Sequence, residues 1–389
     1  MRKRAGCRTV VAGLAGACIL GATAVAQVPG GAALGTQEDH PTLTLPEPQP
    51  HWAYILEPVF PHLIASKLWI LDGDTLQFKG MANAGYTANL VLSHDKSAFY
   101  FAETFWSRGS RGDRTDVVTF YDAKTLDPTG EVALPQGRFL VVPKKHNAQL
   151  TTDGRYLVSF NMDPAFGLSV VDVKERKYLG EIETGGCSLA FPTGPSSVAA
   201  ICPDGSFTHI TFDASGKAAA REDGQPFFDS ENDPVFEHAA LHRPTQRAFF
   251  VSYDGWVYPA ELRGMPKVGE RWRLQGTGEE GWRPGGWQVA AYHPPSHRLF
   301  VLMHQGGRWT HKKAGEEVWV YDVASKTRVH RLPLGHHSHS LTVSNDDRPL
   351  LFALTETAAL QVYDATSYAH KGTKEGIGIS PYLLYTFGE

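Results

Sequence analysis

The chain has 389 residues, of which 42% are hydrophobic and 20% charged, and this composition excludes a globally disordered protein. Its 39 glycines and 25 prolines indicate many turns and argue against a long helical bundle. The formal net charge is −4 with no basic block beyond the N-terminus, which argues against nucleic acid as a partner.

The first 26 residues have the pattern of a secretory signal. Basic residues precede an apolar stretch rich in Ala and Gly from Val10 to Val25, and small residues follow at its end. We therefore predict export, with cleavage near Ala26 and no membrane insertion afterwards. A permanent N-terminal anchor and a lipid attached at Cys18 are the alternatives.

Two segments follow the signal. Residues 27–50 are rich in Gly, Pro and Thr and are predicted to form an extended or disordered arm. Residues 51–389 are predicted to form a single domain. No apolar run in either segment is long enough to span a bilayer.

Signal cleavage leaves Cys187 and Cys202 as the cysteines of the mature chain. In an exported protein, two cysteines fifteen positions apart predict one disulfide that closes a short loop. Two reduced, buried thiols are the alternative.

A short β-rich segment that ends in Asp recurs along the chain. Strand–turn–strand units lie between the copies, bounded by Asp, Gly, Asn or Pro, which is typical of hairpins. Seven copies in the mature chain give a period of about 52 residues, close to that of a four-stranded propeller blade. The sequence therefore predicts an all-β fold, a seven-bladed β-propeller, with a pair of β-sandwiches as the alternative. Six copies end at Asp72, Asp122, Asp172, Asp213, Asp322 and Asp364, and a degenerate copy spans 256–261.

Candidates for catalytic chemistry are few. The repeated aspartates occupy one place in every copy, which indicates turn residues whose carboxylates accept bonds from nearby backbone amides. In the His-rich run at 336–339, His337 and His339 would share one face of a strand, and a structural or solvent-facing role is favoured over metal binding. The sequence has no nucleophile elbow, His-Glu-x-x-His motif or phosphate loop. We therefore predict no catalytic residue and no metal site in this chain. The run at 282–287 predicts either a packing corner or an exposed binding loop.

Five runs, at residues 57–63, 108–118, 232–236, 281–288 and 310–312, together resemble the heavy subunit of the quinoprotein amine dehydrogenases, the methylamine and aromatic amine dehydrogenases. The resemblance extends from about Trp52 to the end of the chain. It implies a seven-bladed propeller exported to the periplasm and paired with a small subunit in a two-plus-two heterotetramer. In this family the small subunit carries tryptophan tryptophylquinone and the catalytic base. It oxidises a primary amine to aldehyde and ammonia and passes electrons to a blue copper protein of the amicyanin or azurin type.

The resemblance also implies roles for residues of this chain. Tyr86, at the end of the loop 80–86, aligns with the aromatic residue that lines the substrate channel, where the methylamine branch has Phe. Cys187 and Cys202 match an intrachain disulfide of the family. The chain is then a scaffold without its own cofactor that binds the small subunit and helps to form the channel. A stand-alone exported propeller enzyme, lactonase-like or with its own cofactor, and a purely binding propeller are the alternatives.

Overall fold

The computed structural model describes residues 43–388, so the predicted signal at 1–26 and the arm residues 27–42 lie outside the described part. The described residues form 29 strands and one 3-10 turn, Lys145–Asn147. None of their helices is long and apolar enough to cross a membrane. The prediction of an all-β protein is confirmed.

The strands form six sheets, within which neighbouring strands are antiparallel. The first sheet combines both ends of the described chain: β1 (Trp52–Glu57), β2 (Ser66–Asp72), β3 (Gln77–Ala84) and β29 (Leu383–Tyr385). The second contains β4 (Tyr86–Leu92), β5 (Ala98–Trp106), β6 (Arg114–Asp122) and β7 (Pro128–Ala133). The third contains β8 (Ala148–Leu150), β9 (Tyr156–Asn161), β10 (Gly167–Asp172) and β11 (Lys177–Glu183).

The remaining sheets follow in chain order. The fourth contains β12 (Ser188–Gly194), β13 (Ser197–Ile201), β14 (Phe207–Phe212) and β15 (Ala218–Asp223). The fifth contains β16 (Ala240–His242), β17 (Arg247–Val251), β18 (Trp256–Glu261), β19 (Lys267–Val268) and β20 (Trp272–Arg273). The sixth contains β21 (Trp282–Pro284), β22 (Ala290–His293), β23 (Arg298–Gln305), β24 (Gly315–Asp322), β25 (Thr327–Val343), β26 (Leu350–Thr355), β27 (Leu360–Asp364) and β28 (His370–Lys374).

The sixth sheet differs from the predicted pattern of seven separate blades. Five sheets of the described chain have four or five strands, and the sixth has eight. The cause is β25, whose 17 residues pair with β24 over one part of their length and with β26 over the other. The propeller fold agrees with the sequence, but the last two predicted repeats share one continuous sheet.

The repeated aspartates are turn residues, as predicted. Each ends or directly follows the third strand of a four-stranded unit, and its Oδ1 accepts the backbone N–H two residues later at 2.8 to 3.1 Å. Because neighbouring strands run antiparallel, these turns lie on one face of the propeller. The connections from second to third strand, and from one sheet to the next, emerge on the opposite face. We call that opposite face the loop face.

The ring closes where β29 pairs with β1, through three residue pairs from Tyr54↔Tyr385 to Leu56↔Leu383. The buried carboxylate of Glu57 reinforces this closure, since it accepts the backbone N–H groups of Ile379 and Ser380. Large apolar side chains fill the core of the sheets and are fully buried: Trp52, Tyr54, Phe99, Phe101, Phe191, Phe249, Phe250, Phe300, Trp319 and Phe352.

Candidate functional site

The loop face carries most of the exposed large apolar side chains of the described chain. Contiguous exposed apolar surface marks contact sites for other macromolecules, and scattered single residues do not. The exposed apolar side chains on the loop face are between 36% and 73% exposed: Phe60, Ile64, Phe105, Phe139, Val141, Trp309 and Ile379. Four other exposed apolar side chains lie away from this face: Leu43, Phe78, Met81 and Val329.

A cleft of about 410 Å³ opens on the loop face beside Tyr86. Its volume lies within the range of small-molecule sites. A larger cavity of about 580 Å³ lies around Leu92, Arg243 and Phe387, away from Tyr86 and the exposed aromatic residues. The loop-face cleft is mainly apolar with two guanidinium groups, and its lining includes Leu63, Ile64, Tyr86, Trp106, Arg114, Arg138, Phe139 and Leu140.

Arg114 already occupies two aromatic faces of this cleft. Its guanidinium carbon lies 5.7 Å from the ring centroid of Trp106 and 5.2 Å from that of Phe139. The same group donates to the Asp116 carboxylate at 2.9 Å and to the Arg138 carbonyl. Because these rings face a cation of the protein, they offer contact to the apolar part of a ligand rather than a second cation–π site.

The backbone around Tyr86 has an irregular geometry. Tyr86 is half-buried at the start of β4, and a register shift separates its pairing with Thr104 from the next pairing, Asn89↔Ala102. Thr87 adopts a φ of 45°. A Cβ atom on Gly85 would lie 2.5 Å from the Thr104 carbonyl oxygen, so only glycine fits there. The position of the Tyr86 ring therefore depends on a bulge that local sequence preference does not favour.

Buried charges lie beneath this bulge. Burial raises the pKa of Glu103, against the bonds that its carboxylate accepts from Thr119 and Gly85. Burial also lowers the pKa of Arg138 to about 10, while Asp116 and Glu103 act in the opposite direction. Arg138, which lines the cleft, and Glu103, which lies beneath the bulge, are therefore ionisable groups that water barely reaches.

The His-rich run lies in β25. His337 is exposed and His339 is half-buried, and burial lowers the pKa of His339 to about 4. Among residues 43–388, no three His, Cys, Asp or Glu side chains come together as a metal-binding group.

The Trp-rich run at 282–287 forms a packing corner. The Trp282 ring lies 5.3 Å from Trp319, and the Trp287 ring lies 5.2 Å from Tyr382. Gly286 has a φ of 122°, and a Cβ there would lie 2.5 Å from the His339 carbonyl oxygen. The sequence predicted either a packing corner or an exposed binding loop, and the structure shows the packing corner.

The predicted disulfide between Cys187 and Cys202 is present. Cys187 directly precedes Ser188 of β12, and Cys202 directly follows Ile201 of β13. Since Ser188 and Ile201 are paired, the disulfide joins the two strands just beyond their last residue pair. It lies on the loop face, where sheet-to-sheet connections and second-to-third-strand connections meet.

Sequence reasoning found Tyr86 but missed the residues around it. Arg114 lies within the run at 108–118 that carries the family resemblance, so a signal for it existed. Glu103 stands alone as a charge in the apolar strand β5, which is a second usable signal. Arg138 lies in a long connection, and nothing in its sequence neighbourhood indicates that it is buried.

Comparisons with known proteins show which family this chain belongs to. A family model described as methylamine dehydrogenase heavy chain matches residues 50–388. The chain belongs to the methylamine dehydrogenase heavy chain family. The heavy chain of Paracoccus versutus methylamine dehydrogenase is 30% identical over 362 residues, which cover 90% of this chain and 83% of the relative. The corresponding heavy chain of Methylophilus methylotrophus is 28% identical over 337 residues, covering 85% and 82%.

More distant solved structures share the fold alone. Dihydro-heme d1 dehydrogenase NirN superimposes with a TM-score of 0.57 at 18% identity, covering 90% of this chain and 78% of that chain. A Kuenenia stuttgartiensis hydrazine synthase chain gives a TM-score of 0.51 at 14% identity, covering 85% of this chain and 99% of that chain.

The predicted resemblance to amine dehydrogenase heavy chains is confirmed, because the matched residues 50–388 contain all five resembling runs and Tyr86.

Proposed function

We propose that this heavy chain is the non-catalytic scaffold of an amine dehydrogenase complex. The complex oxidises a primary amine, methylamine or an aromatic amine, to an aldehyde and ammonia. The observation that carries the proposal is the coincidence, on the loop face, of exposed aromatic residues with the cleft beside Tyr86 in a chain of this family. The heavy chain supplies the docking surface and one wall of the substrate path, and the small subunit supplies the reacting groups.

The eight-stranded sheet counts as two blades in this proposal, so that the propeller has seven. β25 would then serve as the outer strand of the sixth blade and the inner strand of the seventh. Register shifts between Gly315 and Glu317 and between Ser338 and Ser340 support this division, because they interrupt the ladder where one blade would pass into the next. The repeat copies that end at Asp322 and Asp364 would then belong to different blades.

The proposed quinone, tryptophan tryptophylquinone, belongs to the partner. The residues of this chain offer a poor fit to such a group: the close pair Trp282 and Trp319 is held in the packing corner, and the Trp319 ring is fully buried. The electron acceptor would be a blue copper protein of the amicyanin or azurin type. The proposed location is the periplasm, and the proposed assembly is a two-plus-two heterotetramer.

The loop face is the proposed contact surface of the small subunit, and Phe139 tests it. Phe139 is 48% exposed on this face, whereas Val329 is 45% exposed on β25, away from it. We expect Phe139→Asp to weaken copurification of the small subunit at least about tenfold, since it places a charge in an apolar contact. Val329→Asp is the matched control and should leave copurification unchanged. Equal effects of the two substitutions would show that this surface is not the contact.

The Tyr86 side chain is proposed to limit the size of the amine that reaches the small subunit. We expect Tyr86→Ala in the assembled enzyme to shift the ratio of kcat/KM for a bulky amine over that for methylamine by about tenfold, or ~1.4 kcal/mol. The shift should favour the bulky amine, because removal of the ring widens the cleft. Tyr86→Phe keeps the ring and should leave the ratio near that of the wild type. Equal losses for every amine together with a lower Tm would instead make Tyr86 a structural residue.

A further inference from the structure

We infer that Glu103 and Arg138 are positioning residues, a buried clamp that holds the backbone on both sides of Tyr86 and thereby sets which amines the cleft accepts. The effect on amines rests on the proposed function, whereas the clamp itself is a property of this chain. Neither residue is assigned a role by the family resemblance.

Glu103 holds the backbone before Tyr86. It lies on β5 and is fully buried. Its Oε2 accepts the Gly85 N–H at 2.5 Å, and its Oε1 accepts the Thr119 hydroxyl. Each carboxylate oxygen therefore has a donor. One of these donors is the backbone N–H of Gly85, the residue immediately before Tyr86.

Arg138 holds the backbone after Tyr86. Arg138 is 2% exposed, and its guanidinium donates through Nη2 to the Thr87 carbonyl and to the Asn89 Oδ1, the latter at 2.5 Å. Its Nε has no partner within the described structure. A buried cation costs free energy that an apolar side chain of similar size would avoid. In return Arg138 gains polar contacts with the Thr87 carbonyl of the bulge and with the Asn89 side chain at the end of the bulge.

The bulge requires such support. The register shift leaves Thr87 and Ala88 outside the ladder between β4 and β5, and Thr87 is a β-branched residue at a positive φ. Conformations of this kind persist only where the surroundings impose them. Ser66 adds to the support, because its N–H donates to the Gly85 carbonyl at 3.0 Å and its hydroxyl accepts the Ala88 N–H at 3.2 Å.

The clamp lies directly behind the cleft. Arg138 lines the cleft together with Tyr86, and the two side chains are close enough to interact electrostatically. A shift of the peptide units at Gly85 or Thr87 would move the Tyr86 ring relative to the opposite wall. The clamp therefore controls cleft width without touching the part of the amine that reacts.

The first test uses hydrogen exchange of the full chain, measured by mass spectrometry. We expect Glu103→Met to increase exchange of the segment 84–90 by about tenfold, while the other sheets keep their protection. Glu317→Met is the matched control, because the Glu317 carboxylate accepts bonds from Trp319 and Arg331 on a distant sheet. Glu317→Met should leave the hydrogen exchange rate of the segment 84–90 unchanged. Unchanged exchange of this segment in Glu103→Met, or equal acceleration throughout the chain, would overturn the clamp.

Two further variants keep this test decisive if Glu103→Met does not fold. Glu103→Gln retains an oxygen acceptor for the Gly85 N–H, so exchange should stay near the wild-type rate. Arg138→Lys retains the charge but loses the planar fork, so exchange of 84–90 should rise about threefold. Faster exchange in the Gln variant than in the Lys variant would contradict the assignment.

The second test is a double-mutant cycle in the assembled enzyme. Glu103→Met should shift the ratio of kcat/KM for bulky over small amines in the same direction as Tyr86→Ala, by about threefold to tenfold. In the Tyr86→Ala background it should cause no further shift, because no ring remains to be positioned. Additive effects would assign Glu103 a purely structural role. An assembled complex that oxidises no amine would refute the proposed function, and the exchange experiment would still decide on the clamp.

Discussion

Replacement of Glu57 by Met is expected to lower the free energy of unfolding of the full chain by about 3–5 kcal/mol. Glu57 is 1% exposed, and its carboxylate accepts three N–H donors: the backbone of Ile379, the backbone of Ser380 at 2.8 Å and the indole of Trp69 at 2.8 Å. Met fills similar space but accepts none of these bonds. The three donors around this buried position then lose their acceptor, and the closure of the first sheet weakens.

Denaturant unfolding measures this loss as a lower midpoint at an unchanged m-value. Glu131→Met is the matched control, because Glu131 is exposed on β7 and its loss should change stability by less than about 0.5 kcal/mol. A Glu57→Met chain as stable as the Glu131→Met chain would mean that the three β29–β1 residue pairs close the ring without Glu57.

Loss of the disulfide is expected to lower the free energy of unfolding by about 3 kcal/mol. The bond joins Cys187 and Cys202, which are 15 positions apart, and in the chain-entropy model a loop of that length restricts the unfolded chain by about this amount. The folded sheet already pairs Ser188 with Ile201, so the double variant Cys187→Ala with Cys202→Ala should keep the native fold.

Two measurements check the disulfide prediction. Mass spectrometry of the unreduced chain should give a mass two hydrogens below that of the reduced chain. The denaturant midpoint of the double Ala variant should be lower than that of the wild type, corresponding to the loss of about 3 kcal/mol in the free energy of unfolding. Two thiols that react with an alkylating reagent in protein purified without a reductant would contradict the bond, and equal midpoints would contradict its contribution to stability.

The propeller was predictable from the sequence because its repeats carry a physical signature. The third strand of each unit is followed by a tight turn, and an Asp such as Asp122 caps that turn by accepting the backbone N–H of Lys124 at 2.8 Å. The division into separate sheets was less predictable. β25 continues through Pro333 and Gly335, residues that usually end or weaken a strand, so the sequence indicated a break where the strand continues.

The site was predictable only in part. Tyr86 was found through the family resemblance, and the structure places it beside a cleft. Glu103 and Arg138 are 35 positions apart in the sequence, and they act together because β5 and the connection after β7 both reach the bulge at Gly85 and Thr87. Side chains that act on a distant backbone segment leave no spacing pattern. Their roles become visible only when the carbonyl of Thr87 and the N–H of Gly85 are traced to their partners.

The measurement that tests the scaffold role most directly is amine-dependent dye reduction by the isolated full chain and by the same chain copurified with its small subunit. We expect reduction by the complex and none by the isolated chain, with visible absorption confined to the small subunit. The proposed role would be contradicted by an isolated chain that reduces the dye at a rate comparable to the complex, or that absorbs visible light by itself.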